Sequence, residues 1–292
     1  MQKGIGLLLG GLGSLSLLAA QPGIQTEIEQ AIRESGAEVG LAFRTLDGQA
    51  ALSLSADKSF HAASTMKVPV MIELFAQARA GLLRIDDALP VRNEFRSIVD
   101  GSPYQLEIGD DSDPEVYQAI GKSMTLERLC ERMIAVSSNL AANLLIDKLG
   151  AENIRKTVQA LGGEGMEVLR GVEDSKAYRK GLSNSTTARA LLHLLERIAR
   201  LEAVDAESSR RMIEILKQQE FDDAIPAGLP AGTSVANKTG EITRIHHDAA
   251  IVYAPRPFVL VLLVRGIEDR KESAALMARI TQILYRATQP GA

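Results

Sequence analysis

The sequence predicts an α+β protein, in which an antiparallel sheet built from both chain ends is flanked by helices and an all-α subdomain is inserted between them. Strand-like runs with a hairpin signal occur over 39–54, and strands return over 234–264. Between about 82 and 216 there is helical periodicity and polar turn sequence, but no convincing strand pair. The 292 residues, 46% of them hydrophobic, suffice to bury a full core. On this reading residues 21–61 and 217–292 form the α/β subdomain and 62–216 the all-α one. The cleft between them is where a site belongs.

Each element has a local reason. Ile24, Ile28, Ala31 and Ile32 share one face of a helix over 24–35. Strands over 39–46 and 51–54 meet at Asp47-Gly48. A helix opening at Ser64 runs to about Ala80, with Val70, Met71, Leu74 and Phe75 as its buried stripe and Gly81 as its stop. Residues 93–123 are polar, with turn clusters over 100–103 and 109–114. The acidic cluster around Asp110, Asp111 and Asp113 lacks the ligand spacing of a calcium loop and predicts a solvated loop. Helices follow over 126–136, 139–149, 186–200 and 209–218. Strands over 234–238, 249–253 and 258–264 and a helix over 271–286 complete the chain.

Composition narrows the function. A net charge of -4, no long basic run, 4% aromatics and no Trp give no footing for nucleic acid. Lys3, the apolar run 5–18 and Ala19-Ala20 read as a secretory signal over 1–20, cleaved near Ala20. The run is short for a membrane span, so export to the periplasm or medium, without stable membrane insertion after signal removal, is expected. Cys130 stands alone, which excludes an intrachain disulfide, and its helical setting predicts a buried inert thiol. Cys/His metal spacing is missing, so neither metal nor cofactor is expected. His193, among leucines, reads as structural.

Four stretches carry chemistry. Ser64 and Lys67, three apart at a helix start, lie on one face, where an amine reaches a hydroxyl. Ser55 and Lys58 have the same spacing but open no helix. Ser137-Ser138-Asn139 sits at a break between two helices and fits either a proton relay with an amide grip or a plain helix cap. Lys238-Thr239-Gly240 ends a strand, where Lys binds a carboxylate or merely decorates an edge. Arg170 to Tyr178, followed by Asn184 to Ala188, reads as a compact loop or a solvated charged one.

In this order the three motifs resemble those of penicillin-recognising active-site serine hydrolases, in the class A β-lactamase branch. The likeness covers about residues 25–288, and the segment 138–145 is especially similar. It implies a β-lactamase/transpeptidase-like fold. Ser64 would be the acylated nucleophile, Lys67 its proton acceptor or relay, and Ser137 the donor to the leaving nitrogen. Asn139 would hold the substrate amide, Lys238 and Thr239 its carboxylate, and Gly240 a close-lying substrate. The N–H groups of Ser64 and Glu241 would form the oxyanion hole. Glu173 would activate the deacylating water, and Arg244 would support the carboxylate. The sequence departs from the pattern in several places. Ser138 replaces the usual Asp, Asp174 the usual Pro after Glu173, and Ala177 the Asn that helps hold the water. The loop from Glu173 to Asn184 is also short. These departures concentrate on deacylation.

The expectation is therefore β-lactam hydrolysis through a Ser64 acyl-enzyme, with a small β-lactam or peptidoglycan-like molecule as substrate. The alternatives are a D,D-peptidase or esterase of the same chemistry, and a penicillin-binding sensor that acylates once.

Overall fold

The computed structural model describes residues 22–289, so the signal-like segment 1–20 lies outside the described residues. Five strands form one antiparallel sheet: β1 (Glu38–Thr45), β2 (Ala51–Leu54), β3 (Ser234–Ile242), β4 (Ile245–Tyr253) and β5 (Phe258–Arg265). Their spatial order is β2-β1-β5-β4-β3, so both chain ends contribute, as expected. β5 is apolar on both faces because helices cover both. Alternate residues separate two cores. Leu41, Phe43, Leu260 and Leu262 meet Ile28, Met277, Ile280 and Leu284 of the helices Pro22–Ser35 and Arg270–Thr288. Ala42, Val259, Val261 and Leu263 join the larger helical core on the other side, where the helix Ala188–Ala199 lies on the sheet.

The helix Lys67–Arg79 runs through the larger core, and every residue from Lys67 to Phe75 is buried. It begins three residues later than its sequence pattern predicts. Ser64 lies in a 3-10 turn, Ala63–Met66, tightened because Thr65 donates both its N–H (3.1 Å) and its hydroxyl (2.6 Å) to the Ala62 carbonyl.

Several expectations need correction. The middle of the chain does contain strand pairs, Ala88–Pro90 with Ser123–Thr125 and Phe95–Arg96 with Pro103–Tyr104. At two or three residues each, they are too short to show a period. The helices Pro114–Gln118, Ala151–Ala160 and Ser175–Arg179 are additions to the sequence reading. β3 and β4 extend past their expected ends and turn at Thr243-Arg244, because Glu241, His246, His247 and Asp248 are polar residues inside strands. The acidic cluster is only partly the solvated loop expected: Ser112 is exposed and Asp111 half-buried, but Asp113 is fully buried and ion-paired to Arg132 at 2.8 Å. Cys130 is fully buried as expected, and that burial pushes its thiol pKa up. Among the described residues, no helix is long and apolar enough to cross a membrane.

Candidate active site

The packing of the Lys67–Arg79 helix brings the first two motifs together. Lys67 Nζ is fully buried and donates to Ser64 Oγ (3.0 Å), the Ser137 carbonyl (2.6 Å) and Asn139 Oδ1 (2.8 Å). It also lies 3.2 Å from Ser137 Oγ. Burial lowers its pKa to about 7, opposed by the carboxylates of Asp111 and Glu173. An amine so poised exchanges a proton near neutrality, which an exposed lysine does not do.

The third motif closes the other side. Lys238 Nζ, also fully buried, reaches Ser137 Oγ (3.1 Å) and the Thr239 carbonyl (2.9 Å). Burial, and secondarily the nearness of Lys67, hold its pKa well below the usual lysine value. Gly240 is required by a close approach: a Cβ there would lie 3.1 Å from the backbone nitrogens of both Ser64 and Thr65. Strand β3 therefore runs hard against the Ser64 turn. Gly240→Ala should push the two apart and cut the acylation rate roughly 10- to 100-fold, read by stopped-flow mixing with a chromogenic substrate.

Glu173 enters from the loop. Its Oε1 accepts from Asn139 Nδ2 at 3.1 Å, so one amide connects Lys67 to Glu173. Both neighbours of Glu173 are pinned. Val172 exchanges two hydrogen bonds with the side chain of Asn143 (2.6 and 3.0 Å). Asp174 accepts from Ala177 N–H, Ser97 Oγ and Ile98 N–H at 2.9–3.0 Å. Asn184 staples the loop base through Leu169 and Arg170, at 2.8–3.2 Å. Ser137 and Glu173 both have left-handed backbone (φ 61° and 64°), a strained geometry that this surrounding network holds in place.

Asn143 is a site residue that the sequence motifs do not include. Its signal is a polar residue one turn after Asn139, within the apolar run Leu140 to Ile146. Asn143→Ala would take the acceptor from Val172 N–H and leave the Val172 carbonyl to the Tyr104 hydroxyl, 3.3 Å away. It should cost about 1–3 kcal/mol in denaturant unfolding, and it frees Glu173 from its frame.

Arg244, His246 and Glu241 each have a side-chain partner outside the three motifs. Arg244 occupies the β3–β4 turn (φ 59°), where its guanidinium donates to the Gly266 carbonyl at 2.9 Å. His246, two residues on, faces Ser273: Ser273 Oγ donates to Arg270 O (3.0 Å) and so accepts from His246 Nδ1 (2.7 Å). The Glu241 carboxylate is taken up by Arg270 Nε at 2.7 Å, and the residue lines the cleft beside Ser64. Ala177 is fully buried beneath its short helix, and the loop side chains reaching the cleft beyond Glu173 include Ser175 and Tyr178. His247 ties the sheet to the nucleophile turn. Its Nε2–H donates to the His61 carbonyl (2.9 Å) while Nδ1 accepts from Val264 N–H (3.1 Å), and burial lowers its pKa to about 4.

Ser64, Asn139, Glu241, Ile242 and Thr243 line two adjoining clefts of about 600 and 690 Å³. One holds Ser137 and Thr239, the other Glu173. Among the described residues, no group of three or more His, Cys, Asp or Glu side chains is placed to hold a metal ion.

A cleft between a terminal-strand sheet and a helical layer, with a Ser–Lys pair at the entry to its central helix, defines a β-lactamase/penicillin-binding-protein fold, and comparison agrees. The chain belongs to the beta-lactamase enzyme family, whose model matches residues 23–288. It is 30% identical to a β-lactamase of Rhodobacter capsulatus over 64% of this chain and 60% of that one. With a β-lactamase of Amycolatopsis lactamdurans it shares 26% identity over 91% of this chain and 85% of the other. The structure of PBP-A superposes with a TM-score of 0.78 at 26% identity, covering 91% of this chain and 96% of that one. An ancestral class A β-lactamase shares the fold (TM-score 0.78, 23% identity, coverage 90% and 99%).

Proposed function

We propose that this protein hydrolyses β-lactams as a class A-type serine β-lactamase. One observation carries the reading: the buried Lys67 amine, its pKa near 7, lies between the hydroxyls of Ser64 and Ser137. Relatives across most of the chain are named β-lactamases, and a mutant of PBP-A forms an acyl-enzyme complex with penicillin G.

Neutral Lys67 takes the proton of Ser64 as its Oγ bonds to the lactam carbonyl carbon. The N–H groups of Ser64 and Glu241 receive the oxyanion. The C–N bond then breaks, and the ring nitrogen takes its proton from Ser137, which is resupplied by Lys67. Glu173 removes a proton from water as the water attacks the ester carbonyl, and Ser64 leaves with a proton returned to it. Asn139 Nδ2 has a second hydrogen beyond its bond to Glu173, available to a substrate amide.

Lys238 binds the substrate carboxylate. Two buried lysines that share one serine hydroxyl resist charging together, so an arriving carboxylate favours the protonated form of Lys238. Lys238→Ala should therefore slow hydrolysis of a carboxylate-bearing penicillin far more than that of its methyl ester, by roughly 10- to 100-fold in kcat/KM. Equal losses would leave Lys238 a structural residue.

A second reading, a D,D-peptidase or esterase, is favoured by one observation: position 177 offers only a buried methyl and no polar group for a water. Steady-state hydrolysis of a chromogenic cephalosporin by residues 21–292 decides between them. Sustained turnover supports the β-lactamase, whereas a single acylation without turnover supports the peptidase. The leader-like residues 1–20 support an exported enzyme.

A further inference from the structure

The acidic turn, which the three motifs do not include, wraps the second of them. Asp111 Oδ2 accepts from the backbone N–H groups of Asn139 and Leu140, both at 2.9 Å. Its Oδ1 accepts from Asp113 N–H at 3.1 Å. Ser112 donates its hydroxyl to the Val136 carbonyl. Asp113 pairs with the guanidinium of Arg132, whose carbonyl accepts from Ser138 N–H at 3.1 Å. Asp111 and Ser112 thus grip the backbone on the two sides of Ser137, the residue with strained φ, and Asp113 holds the side chain of Arg132 beside them. Ser138, meanwhile, only caps its own helix, its hydroxyl accepting from Ala141 N–H at 3.3 Å.

We infer that Asp111 is a positioning residue for the reaction. From a separate loop, it supplies the carboxylate that holds the Ser137–Asn139 turn and sets the charge balance at Lys67, a carboxylate that position 138 could equally provide. The inference rests on the serine-acylation reading above. The charged groups facing Lys67 are Asp111, Glu173 and Lys238. Of the two carboxylates, Asp111 acts more strongly on the lysine. Asp111 also lies behind Asn139, whose side chain bonds Lys67 directly. The carboxylate therefore acts in two ways. Its hydrogen bonds fix where Ser137 and Asn139 stand, and its charge favours the protonated amine.

Two substitutions separate these effects. Asp111→Asn keeps the shape and an acceptor oxygen but removes the charge. The acid limb of the acylation rate, where Lys67 gains its proton, should move to lower pH by on the order of one unit. Asp111→Ala also removes the bonds, and the limiting acylation rate should fall roughly 10- to 100-fold. Adding Ser138→Asp to Asp111→Ala should return both limb and rate toward wild type. Amide hydrogen exchange at Asn139 and Leu140 provides a readout without substrate. Their protection should drop in Asp111→Ala and recover in the double variant.

A limb unmoved in Asp111→Asn overturns the electrostatic role. A rate and protection unmoved in Asp111→Ala overturn the clamp, and no recovery in the double variant overturns the equivalence of the two positions. A wild-type protein that does not acylate would instead refute the serine-hydrolase reading, while the exchange experiment would still decide the clamp.

Discussion

Incubation with a penicillin should add one acyl mass to the protein, and Ser64→Ala should abolish both the adduct and β-lactam turnover. Removing a nucleophile that works as a unit with its base costs on the order of 10⁶-fold in rate. The adduct should map to Ser64 and neither to Ser55 nor to Ser137. Ser55 lacks the setting, because its partner in spacing, Lys58, pairs on the surface with Glu38. Ser137 has Lys67 within 3.2 Å but also Lys238 within 3.1 Å, so two amines hold it as a relay. Lys67→Arg should be nearly as damaging as loss of the serine, since a guanidinium cannot release its proton at working pH. The sign of the pH dependence follows from burial. Lys67 is mainly neutral above its pKa of about 7 and protonated below it, so acylation should decline as pH falls through about 7. An adduct persisting in Ser64→Ala, or acylation indifferent to Lys67→Arg, would refute the pair.

Glu173→Gln should retain the acylation burst and lose the steady phase. A positioned general base contributes roughly 10²–10⁴-fold, and that factor should be missing from deacylation alone. The amide substitution keeps an oxygen to accept from Asn139 Nδ2, so the geometry of Lys67 and Asn139 survives while the base is gone. The wild-type protein should itself show a burst of one acylation per site followed by slow turnover. With only a buried methyl at position 177, a bond that positions the attacking water must come from elsewhere or is lost. A wild type limited by acylation would contradict this, and a Glu173→Gln protein turning over at the full rate would remove Glu173 from the mechanism.

The parts of this protein that can be read directly are those written as local pattern. Alternating and continuous apolar runs reveal that the sheet comes from both chain ends, because strand burial leaves its mark residue by residue. Ser64, Lys67, Ser137, Asn139, Lys238 and Gly240 are legible as three short motifs whose order and spacing survive without any structure. Folding then decides what those motifs do. That Lys67 is fully buried, and so has a pKa near 7, depends on packing by residues far away in the chain. The support of Glu173 by Asn143, Ser97 and Asn184 joins loops separated by up to 77 positions, and no local period encodes such a contact. The acidic turn differs from its sequence reading for the same reason. In sequence, three polar residues between turns look solvated. In the fold, the half-buried Asp111 finds backbone N–H groups and the fully buried Asp113 finds Arg132, and a carboxylate withdrawn from water becomes stable once its partners are supplied from elsewhere. The sequence by itself determined which side chains could do chemistry and which segments carry them. Only the tertiary structure decided their protonation and their supports, because desolvation and hydrogen-bond satisfaction depend on neighbours in space rather than along the chain.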